Sequence, residues 1–408
     1  MTSILLYIAS ILSAILAMKT KENAFTLPVV IALYEFFFFK GSLGKRVLYL
    51  IPFLLTMLII PITLIGIDKP VGEIISGLGD VTEGYGGISR WDYLFTEFRV
   101  ITTYIRLLFL PINQNIGYDY PVYHSFFDIQ VLLSFLLLLS IFGFAIYLYV
   151  RSMSSTVLKL IAFGIYWFFI ALLVESSIIP IPMVINEYRV YLPSVGGFLA
   201  FIAGAFLFME RLKSKKIQTA ILAFLILTPL VLSSATYLRN AVWGSEISLW
   251  KDVVRKSPKK AMAHYNLGIV YYEQGLIDKA IEQYQIAISL KPDYAEAYNN
   301  LGLVYYGKGL PDKAIEQYQI ALRLKPDYAE AYNNLGMAYG VKGLIDKAIE
   351  QYQIAISLKP DYAEAYYNLG IIYIDRDLNK AHKEFKKALQ INPDFHEARK
   401  FLDYLNKI

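Results

Sequence analysis

The sequence predicts an all-α chain in two parts, a polytopic helical membrane bundle followed by an α-solenoid. Two observations support this fold class. Hydrophobic residues make up 56% of the 408 residues, and they are concentrated in the first 240 residues, in runs close to the roughly 20 residues that cross a bilayer as a helix. The last third instead repeats itself every 34 residues, and a period of that length is typical of stacked helix pairs.

The apolar runs predict a membrane domain over residues 1–240 with about seven transmembrane helices. The runs are residues 2–18, 25–39, 47–67, 131–150, 157–174, 190–208 and 217–236. The second run is short and contains Pro28 and Glu35. We therefore expect it inside the helix bundle, where neighbouring helices can satisfy its polar groups.

The distribution of charge predicts the orientation of this domain. Residues 1–260 carry 22 Lys and Arg against 15 Asp and Glu, whereas residues 261–408 carry 17 against 19. The basic excess falls in three short connections, which contain Lys40, Lys45 and Arg46, then Arg151 and Lys159, then Arg211, Lys213, Lys215 and Lys216. The positive-inside rule makes these connections cytoplasmic, and residues 68–130, residues 175–189 and everything after residue 237 extracytoplasmic. Because topology accounts for the basic charge, no nucleic-acid partner is predicted.

Several classes of site are excluded by residue usage. The chain has no cysteine, so a disulfide framework, a thiolate metal site and a cysteine nucleophile are excluded. Its four histidines show no metal-ligand spacing, and they are His124, His264, His382 and His396. The glycines of "GLGD" and "GYGG" lack the strand, helix and lysine of a nucleotide-binding loop. No metal and no cofactor are therefore predicted.

The extracytoplasmic loop 68–130 contains an amphipathic segment, for which we predict a helix over residues 94–110 lying in the outer membrane interface. Its apolar face is formed by Phe95, Phe98, Ile101, Ile105 and Leu108. Its polar face is formed by Arg99, Thr102, Thr103 and Arg106.

The tripeptide Asn-Leu-Gly recurs at residues 266–268, 300–302, 334–336 and 368–370, a spacing of 34 residues each time, which is the period of tetratricopeptide repeats. The other signature positions are also filled, in the first repeat by Leu267, Gly268, Tyr271, Ala280, Tyr284, Ala287 and Pro292. Four repeats are predicted over residues 261–294, 295–328, 329–362 and 363–395. A linker and half-repeat helix precede them (241–260), and a capping helix follows (396–408).

The repeats are close copies of one another. Residues 275–302 and 343–370 differ only in having Asn299 in one and Tyr367 in the other. Small Gly and Ala residues allow the two helices of a pair to approach, aromatic residues fill the space between them, and Pro ends the second helix. Each pair buries its face against its neighbours, so the repeats predict a solenoid.

Four aligned asparagines on the first helices are candidate groove residues: Asn266, Asn300, Asn334 and Asn368. An amide donates and accepts hydrogen bonds at once, which suits binding to an extended peptide backbone. Their "AYNNLG" context is similar to that of the repeat array of O-GlcNAc transferase, in which asparagine ladders line the groove. Alternatively, each asparagine braces the neighbouring repeat, and both interpretations stay open at this point.

Three phrases carry a wider resemblance: "WDYLFTEFRVITTYIRLLFLPINQNIGYDYPVYHSFFD", "ESSIIPI" followed by "NEYRVYLPSVGG", and "RNAVWGSEISLWKDVVRKSP". Together they resemble the transmembrane and tetratricopeptide-repeat-containing proteins and their bacterial relatives, which are integral-membrane C-type glycosyltransferases. The resemblance implies transfer of a sugar from a polyprenyl- or dolichyl-phosphate donor to Ser or Thr of proteins, with the repeats on the extracytoplasmic side.

The chain departs from that family at its start. Family members carry acidic catalytic residues in the first extracytoplasmic loop, whereas the first connection here is only "KTKENAF". We therefore expect either an N-terminally truncated copy or a chain that has lost the chemistry, and no catalytic residue is assigned.

A lipid-phosphate pocket is the candidate site of the membrane half. A guanidinium can pair with a phosphate, and a carboxylate beside it can hold it in place. Arg189 with Glu187 is the first candidate, followed by Arg99 and Arg106. The alternative is a structural ion pair at a helix end, where charged side chains reach water easily.

Two functions follow from these patterns. The favoured one is a multi-pass membrane protein, in the inner or cytoplasmic membrane, derived from that glycosyltransferase family, whose extracytoplasmic repeats bind proteins or extended peptides; its enzymatic activity is left open. The alternative is an active or split O-mannosyltransferase-like enzyme, whose repeats present the acceptor protein and whose membrane domain binds a polyprenyl-phosphate sugar.

Overall fold

The computed structural model describes residues 2–20, 22–59, 88–152, 155–173, 185 and 187–406. All secondary-structure elements within these ranges are helices. The all-α fold class is therefore confirmed for this part of the chain. Two compact units are formed, Met1–Arg239 and Asn240–Ile408.

The first unit contains eight helices within its described residues: α1 (Thr2–Thr20), α2 (Leu27–Phe38), α3 (Leu43–Thr56), α4 (Arg90–Phe109), α5 (Ile129–Arg151), α6 (Thr156–Leu172), α7 (Tyr191–Arg211) and α8 (Lys215–Asn240). Local sequence explains several helix starts. Ser89 accepts a hydrogen bond from the Asp92 amide at the start of α4, and Ser155 accepts one from the Leu158 amide at the start of α6. Pro28 lies in the first turn of α2, where its missing amide hydrogen is tolerated.

Three helices are long and apolar enough to cross a membrane: Ile129–Arg151, Tyr191–Arg211 and Lys215–Gly244. Three shorter apolar helices also occur among the described residues, Leu5–Lys19, Ala24–Phe38 and Thr156–Leu172. The seven predicted crossings and their orientation remain predictions. Glu35, which was expected to need a partner within the bundle, pairs its carboxylate with Arg46 Nε at 3.2 Å between α2 and α3.

Helices α6 and α7 cross with their backbones in contact. A Cβ atom placed on Gly164 would lie 2.5 Å from the Gly196 carbonyl oxygen, and one placed on Gly196 would lie 2.4 Å from the Gly164 carbonyl oxygen. Gly197 faces α4, because a Cβ there would lie 3.1 Å from Leu108 Cδ1. Small residues at helix crossings permit this approach, which holds the start of α7 close to α4.

The second unit is a solenoid of helix pairs. It begins with α9 (Glu246–Lys256), and the four repeats are α10 (Ala261–Glu273) with α11 (Ile277–Leu290), α12 (Ala295–Gly307) with α13 (Pro311–Leu324), α14 (Ala329–Val341) with α15 (Ile345–Leu358), and α16 (Ala363–Tyr373) with α17 (Leu378–Ile391). Helix α18 (His396–Leu405) follows. Trp250 of α9 packs against the core of the first repeat, and Phe401 of α18 stacks on Phe385 of the last repeat, with ring centroids 5.4 Å apart.

Each pair is closed by one aromatic ring lying against one glycine. Cβ atoms placed on the first-helix glycines would lie 2.7–2.8 Å from ring carbons of the second helix, in the pairs Gly268 with Tyr284, Gly302 with Tyr318, Gly336 with Tyr352 and Gly370 with Phe385. The turn inside each of the first three pairs contains a glycine with φ of +71° or +72°, a conformation that side chains disfavour. In the fourth repeat, which is one residue shorter there, Asp377 caps α17 through the Lys380 amide.

Adjacent repeats are also joined by charged pairs. In each pair a basic residue after a first helix meets the aspartate of the preceding second helix, and the pairs are Lys308 with Asp278, Lys342 with Asp312, and Arg376 with Asp346. Such exposed pairs contribute little stability. Their regular placement instead fixes the register in which one repeat stacks on the next.

Candidate functional site

The inward face of α4 carries polar groups as well as apolar ones. The helix begins at Arg90, and its buried residues are Tyr93, Thr96, Glu97, Val100, Ile101, Tyr104, Leu107 and Leu108. Phe95, Phe98 and Ile105 of the predicted apolar face are only partly buried. The helix therefore presents a buried carboxylate and buried tyrosines to the interior of the first unit.

Arg189 lies in a short 3₁₀ turn, Glu187–Val190, directly before α7, and only 3% of its surface is exposed. The Tyr93 hydroxyl lies within electrostatic range of both Arg189 and Glu97. Tyr93 and Glu97 are fully buried. The side chain of Glu187, the predicted partner of Arg189, lies outside the described residues. Among the described carboxylates, that of Glu97 shares the neighbour Tyr93 with Arg189.

The other two candidate arginines lie further along α4. Arg99 is half-buried, and its Nη1 donates to Ser134 Oγ of α5 at 3.3 Å. The Tyr120 hydroxyl, which is 3.0 Å from Thr103 Oγ1, lies within electrostatic range of both Arg99 and Glu97. Arg99 thus borders the same polar cluster as Arg189. Arg106 is exposed and forms no ion pair within the described part of the chain.

This buried cluster combines Arg189 with Glu97, Tyr93, Tyr120 and Arg99. Sequence reasoning found the arginines but missed Glu97 and the two tyrosines. The signal was the i, i+4 spacing of Tyr93 and Glu97, which places both on one face of a helix. Within the described residues no group of three His, Cys, Asp or Glu could hold a metal ion. The cluster places guanidinium groups near hydroxyl and carboxylate groups.

The aligned asparagines form a chain of side-chain bonds between repeats. From the second repeat onward each amide donates to the side chain 35 residues earlier: Asn300 Nδ2 to the Tyr265 hydroxyl (3.1 Å), Asn334 Nδ2 to Asn299 Oδ1 (3.1 Å), and Asn368 Nδ2 to Asn333 Oδ1 (2.9 Å). These are the bonds expected of the bracing alternative. Asn266 is partly exposed and makes no side-chain hydrogen bond to a described residue.

The acceptors of these bonds explain the one difference between the two copied stretches. Asn299 accepts from the next repeat, but the helix after Tyr367 has Phe401 where an aligned asparagine would stand, because the fourth repeat is one residue shorter. Tyr367 instead packs its ring on Phe395 and Phe401, with centroids 4.9 and 6.1 Å away. An asparagine acceptor therefore occupies this position inside the array, and an aromatic ring occupies the same position in the last repeat.

The repeats match two sequence models of one repeat family. Residues 270–309, 312–343 and 341–375 match the model described as TPR repeat, and residues 363–395 match the model described as tetratricopeptide repeat. The solenoid is therefore built from tetratricopeptide repeats, as its period predicted.

Curated relatives include two enzymes of one kind. The chain is 32% identical over 107 residues to "Protein O-mannosyl-transferase TMTC1" of Mus musculus, an alignment that covers 26% of this chain and 11% of the mouse protein. It is 33% identical over 106 residues to "Protein O-mannosyl-transferase F38B6.6" of Caenorhabditis elegans, covering 26% of this chain and 14% of that protein. The chain thus resembles this enzyme family, and the aligned part spans about a ninth to a seventh of the relatives' length.

Solved structures of repeat proteins are also similar. MamA is 34% identical, with a TM-score of 0.35, over 39% of this chain and 95% of MamA. YrrB, whose structure is described as a TPR protein with an unusual peptide-binding site, is 26% identical, with a TM-score of 0.33, over 42% of this chain and 87% of YrrB.

Proposed function

We propose that this tetratricopeptide-repeat chain, which resembles the protein O-mannosyl-transferases, is a membrane-anchored protein whose repeats bind extended segments of other proteins on the extracytoplasmic side. The apolar helices of the first unit support the anchor, because three of them are long enough to span a bilayer. The positive-inside pattern supports the orientation. The aligned amides of the solenoid carry the proposed binding function.

The amides divide into two groups with different expected roles. Asn334 is buried and donates a hydrogen bond to Asn299, so its expected role is to stabilise the packing of one repeat on the next. Asn266 is partly exposed and makes no side-chain bond to a described residue, so its amide can donate to and accept from a peptide backbone. In this proposal the groove binds peptide through Asn266 and through the remaining acceptor oxygens of the later asparagines.

Alanine at these two positions separates the roles. Asn334→Ala leaves the buried Asn299 oxygen without its donor and is expected to lower the free energy of unfolding by about 1–3 kcal/mol. Asn266→Ala is expected to leave the melting temperature unchanged and to weaken peptide binding severalfold, as the loss of about 0.5–1.5 kcal/mol predicts. Thermal melts followed by circular dichroism and binding of the purified chain to an array of random dodecapeptides measure the two effects. Unchanged peptide binding in Asn266→Ala would rule out the groove role of this amide.

A second candidate function is the sugar-transfer reaction of the related enzymes. The buried cluster around Arg189 favours it, because a guanidinium next to a carboxylate and a tyrosine is suited to binding the phosphate of a lipid carrier. In this proposal Glu97 orients Arg189, and Arg99 adds a second positive charge at the same cluster. The direct test is transfer of sugar from a polyprenyl-phosphate donor to a Ser- or Thr-containing peptide by the purified chain.

Removing Arg189 tests the phosphate site itself. Arg189→Ala combined with Glu97→Gln avoids leaving a buried carboxylate without its cation. The double variant is expected to bind polyprenyl monophosphate at least tenfold more weakly, since hydrogen bonds to charged groups contribute about 1.5–3 kcal/mol. Microscale thermophoresis in detergent measures the affinity. The control is Arg151→Ala, which removes an exposed arginine at the end of α5. An equal loss of affinity in the double variant and in the control would mean that Arg189 has a structural role only.

A further inference from the structure

A second row of side chains crosses the repeats next to the asparagines. Each of repeats two to four has a glutamate in the first turn of its first helix: Glu296, Glu330 and Glu364. Each of these helices is preceded by a half-buried tyrosine, which is Tyr294, Tyr328 or Tyr362. We call these six residues, together with Phe395 at the equivalent position before α18, the Tyr–Glu row.

One position of the Tyr–Glu row already binds an ammonium group. Lys325 Nζ lies 3.2 Å from Glu296 Oε1 and 4.7 Å from the centroid of the Tyr328 ring. A carboxylate and the face of an aromatic ring are the two groups that attract such a cation. The geometry therefore shows that a glutamate in the first helix of one repeat and the tyrosine directly before the first helix of the next repeat together form a site for a basic side chain.

The next two positions of the Tyr–Glu row also combine a glutamate with an aromatic ring, but their glutamates form no ion pair with a described residue. Glu330 is followed by Tyr362, and Glu364 by Phe395. Both carboxylates are exposed, and neither forms an ion pair within the described residues. Lys359, the equivalent of Lys325, lies 4.9 Å from the Tyr362 ring centroid but does not pair with Glu330.

The glutamates and the rings of the Tyr–Glu row are close enough to interact electrostatically. Burial, together with the charges of Glu330 and Glu364, raises the pKa of Tyr362 to about 12. Burial likewise raises the pKa of Tyr328, with contributions from Glu330, Tyr265 and Glu296. Carboxylates from successive repeats thus act on the same rings.

The spacing of the repeats sets the spacing of a matching ligand. The bond between Asn334 and Asn299 shows that first helices of adjacent repeats are neighbours, and packed helices lie about 8–10 Å apart. An extended polypeptide in the polyproline II conformation advances about 3.1 Å per residue and brings every third side chain to the same face. Basic side chains about three residues apart would therefore reach the carboxylates of adjacent repeats.

We propose that Glu330 with Tyr362 and Glu364 with Phe395 bind two lysine or arginine side chains, about three residues apart, of an extended polypeptide lying along the repeats. This proposal rests on the peptide-binding function proposed above and adds the charge and spacing of the ligand. The row selects basic segments because its two open carboxylates gain partners only when the ligand supplies cations.

Binding of designed peptides to the full chain tests the proposal. The probes are fluorescein-labelled twelve-residue peptides with lysine, glutamine or glutamate at every third position and alanine or serine elsewhere. Fluorescence anisotropy at low salt is expected to give the lysine peptide at least tenfold higher affinity than the glutamine peptide, and no measurable binding of the glutamate peptide. Raising the salt concentration is expected to weaken only the lysine peptide's binding.

Variants of the Tyr–Glu row give effects of opposite sign. Glu330→Gln with Glu364→Gln is expected to reduce the lysine peptide's affinity at least tenfold, whereas Lys359→Ala, which removes a competing cation, is expected to increase it. Glu350→Gln on the second helix α15 is the matched control and should change nothing. Equal affinity for all three peptides would refute the charge selection while leaving peptide binding intact. Absence of binding by every peptide would refute both proposals.

Discussion

Replacing Gly196 with leucine is expected to prevent the first unit from folding. A Cβ at this position would lie 2.4 Å from the Gly164 carbonyl oxygen and 2.8 Å from the Phe168 amide nitrogen, both backbone atoms of α6. Neither atom can move without separating the two helices, so the destabilisation should reach about 3 kcal/mol or more, the upper range for overpacked sites. Fluorescence-detected size-exclusion chromatography of the solubilised chain should show loss of the monodisperse peak.

The same helix offers a matched control. Gly204 also lies in α7, but a Cβ placed there meets nothing within 4 Å. Gly204→Leu should therefore elute as the unchanged chain does. If Gly196→Leu were equally well tolerated, the close crossing of α6 and α7 would be wrong.

Replacing Tyr318 with alanine is expected to destabilise the solenoid by about 3–5 kcal/mol, the range for large aromatic side chains removed from a core. The ring is 1% exposed and lies against Gly302 in the second repeat. In a repeat array each unit is stabilised by its neighbours, so loss of an inner repeat also weakens the interfaces on both sides. Chemical denaturation followed at 222 nm measures the change.

Phenylalanine at the same position is the control, and the chain itself contains the precedent. Phe385 fills the equivalent slot of the fourth repeat, also against a glycine. Tyr318→Phe should therefore change the stability by less than about 1 kcal/mol. An equal loss in both variants would indicate that the hydroxyl, rather than the ring, stabilises this repeat.

The solenoid could be predicted from the sequence because its contacts are local and repeated. Each glycine that meets a ring lies 15 or 16 residues before it, and the same pair recurs in every repeat. The period alone therefore identified the tetratricopeptide repeats, with their paired helices, and the aligned asparagines. The period could not show whether the asparagine amides bind peptide or brace the neighbouring repeat. That role depends on which side chain of the adjacent repeat each amide contacts.

The buried cluster around Arg189 was less accessible to sequence reasoning. The apolar pattern of α4 suggested a face containing Phe95 and Phe98, but the helix also buries Glu97 and Tyr93 beside Arg189. An interaction between residues 96 positions apart in the chain, Tyr93 and Arg189, leaves no local signature. The pairing of Arg189 with Glu187 stays a prediction, because the side chain of Glu187 lies outside the described residues.

The amide acceptors of the solenoid bear on how the number of repeats encoded by the gene can change. Because residues 275–302 and 343–370 are almost identical, unequal recombination between them would delete or duplicate two whole repeats. The duplicated segment would bring two asparagine donors, two acceptors and two more carboxylates of the Tyr–Glu row. Tyr367, with its aromatic partners Phe395 and Phe401, would still close the last repeat. The length of the binding surface can therefore vary between generations in steps of two repeats, without redesign of either end.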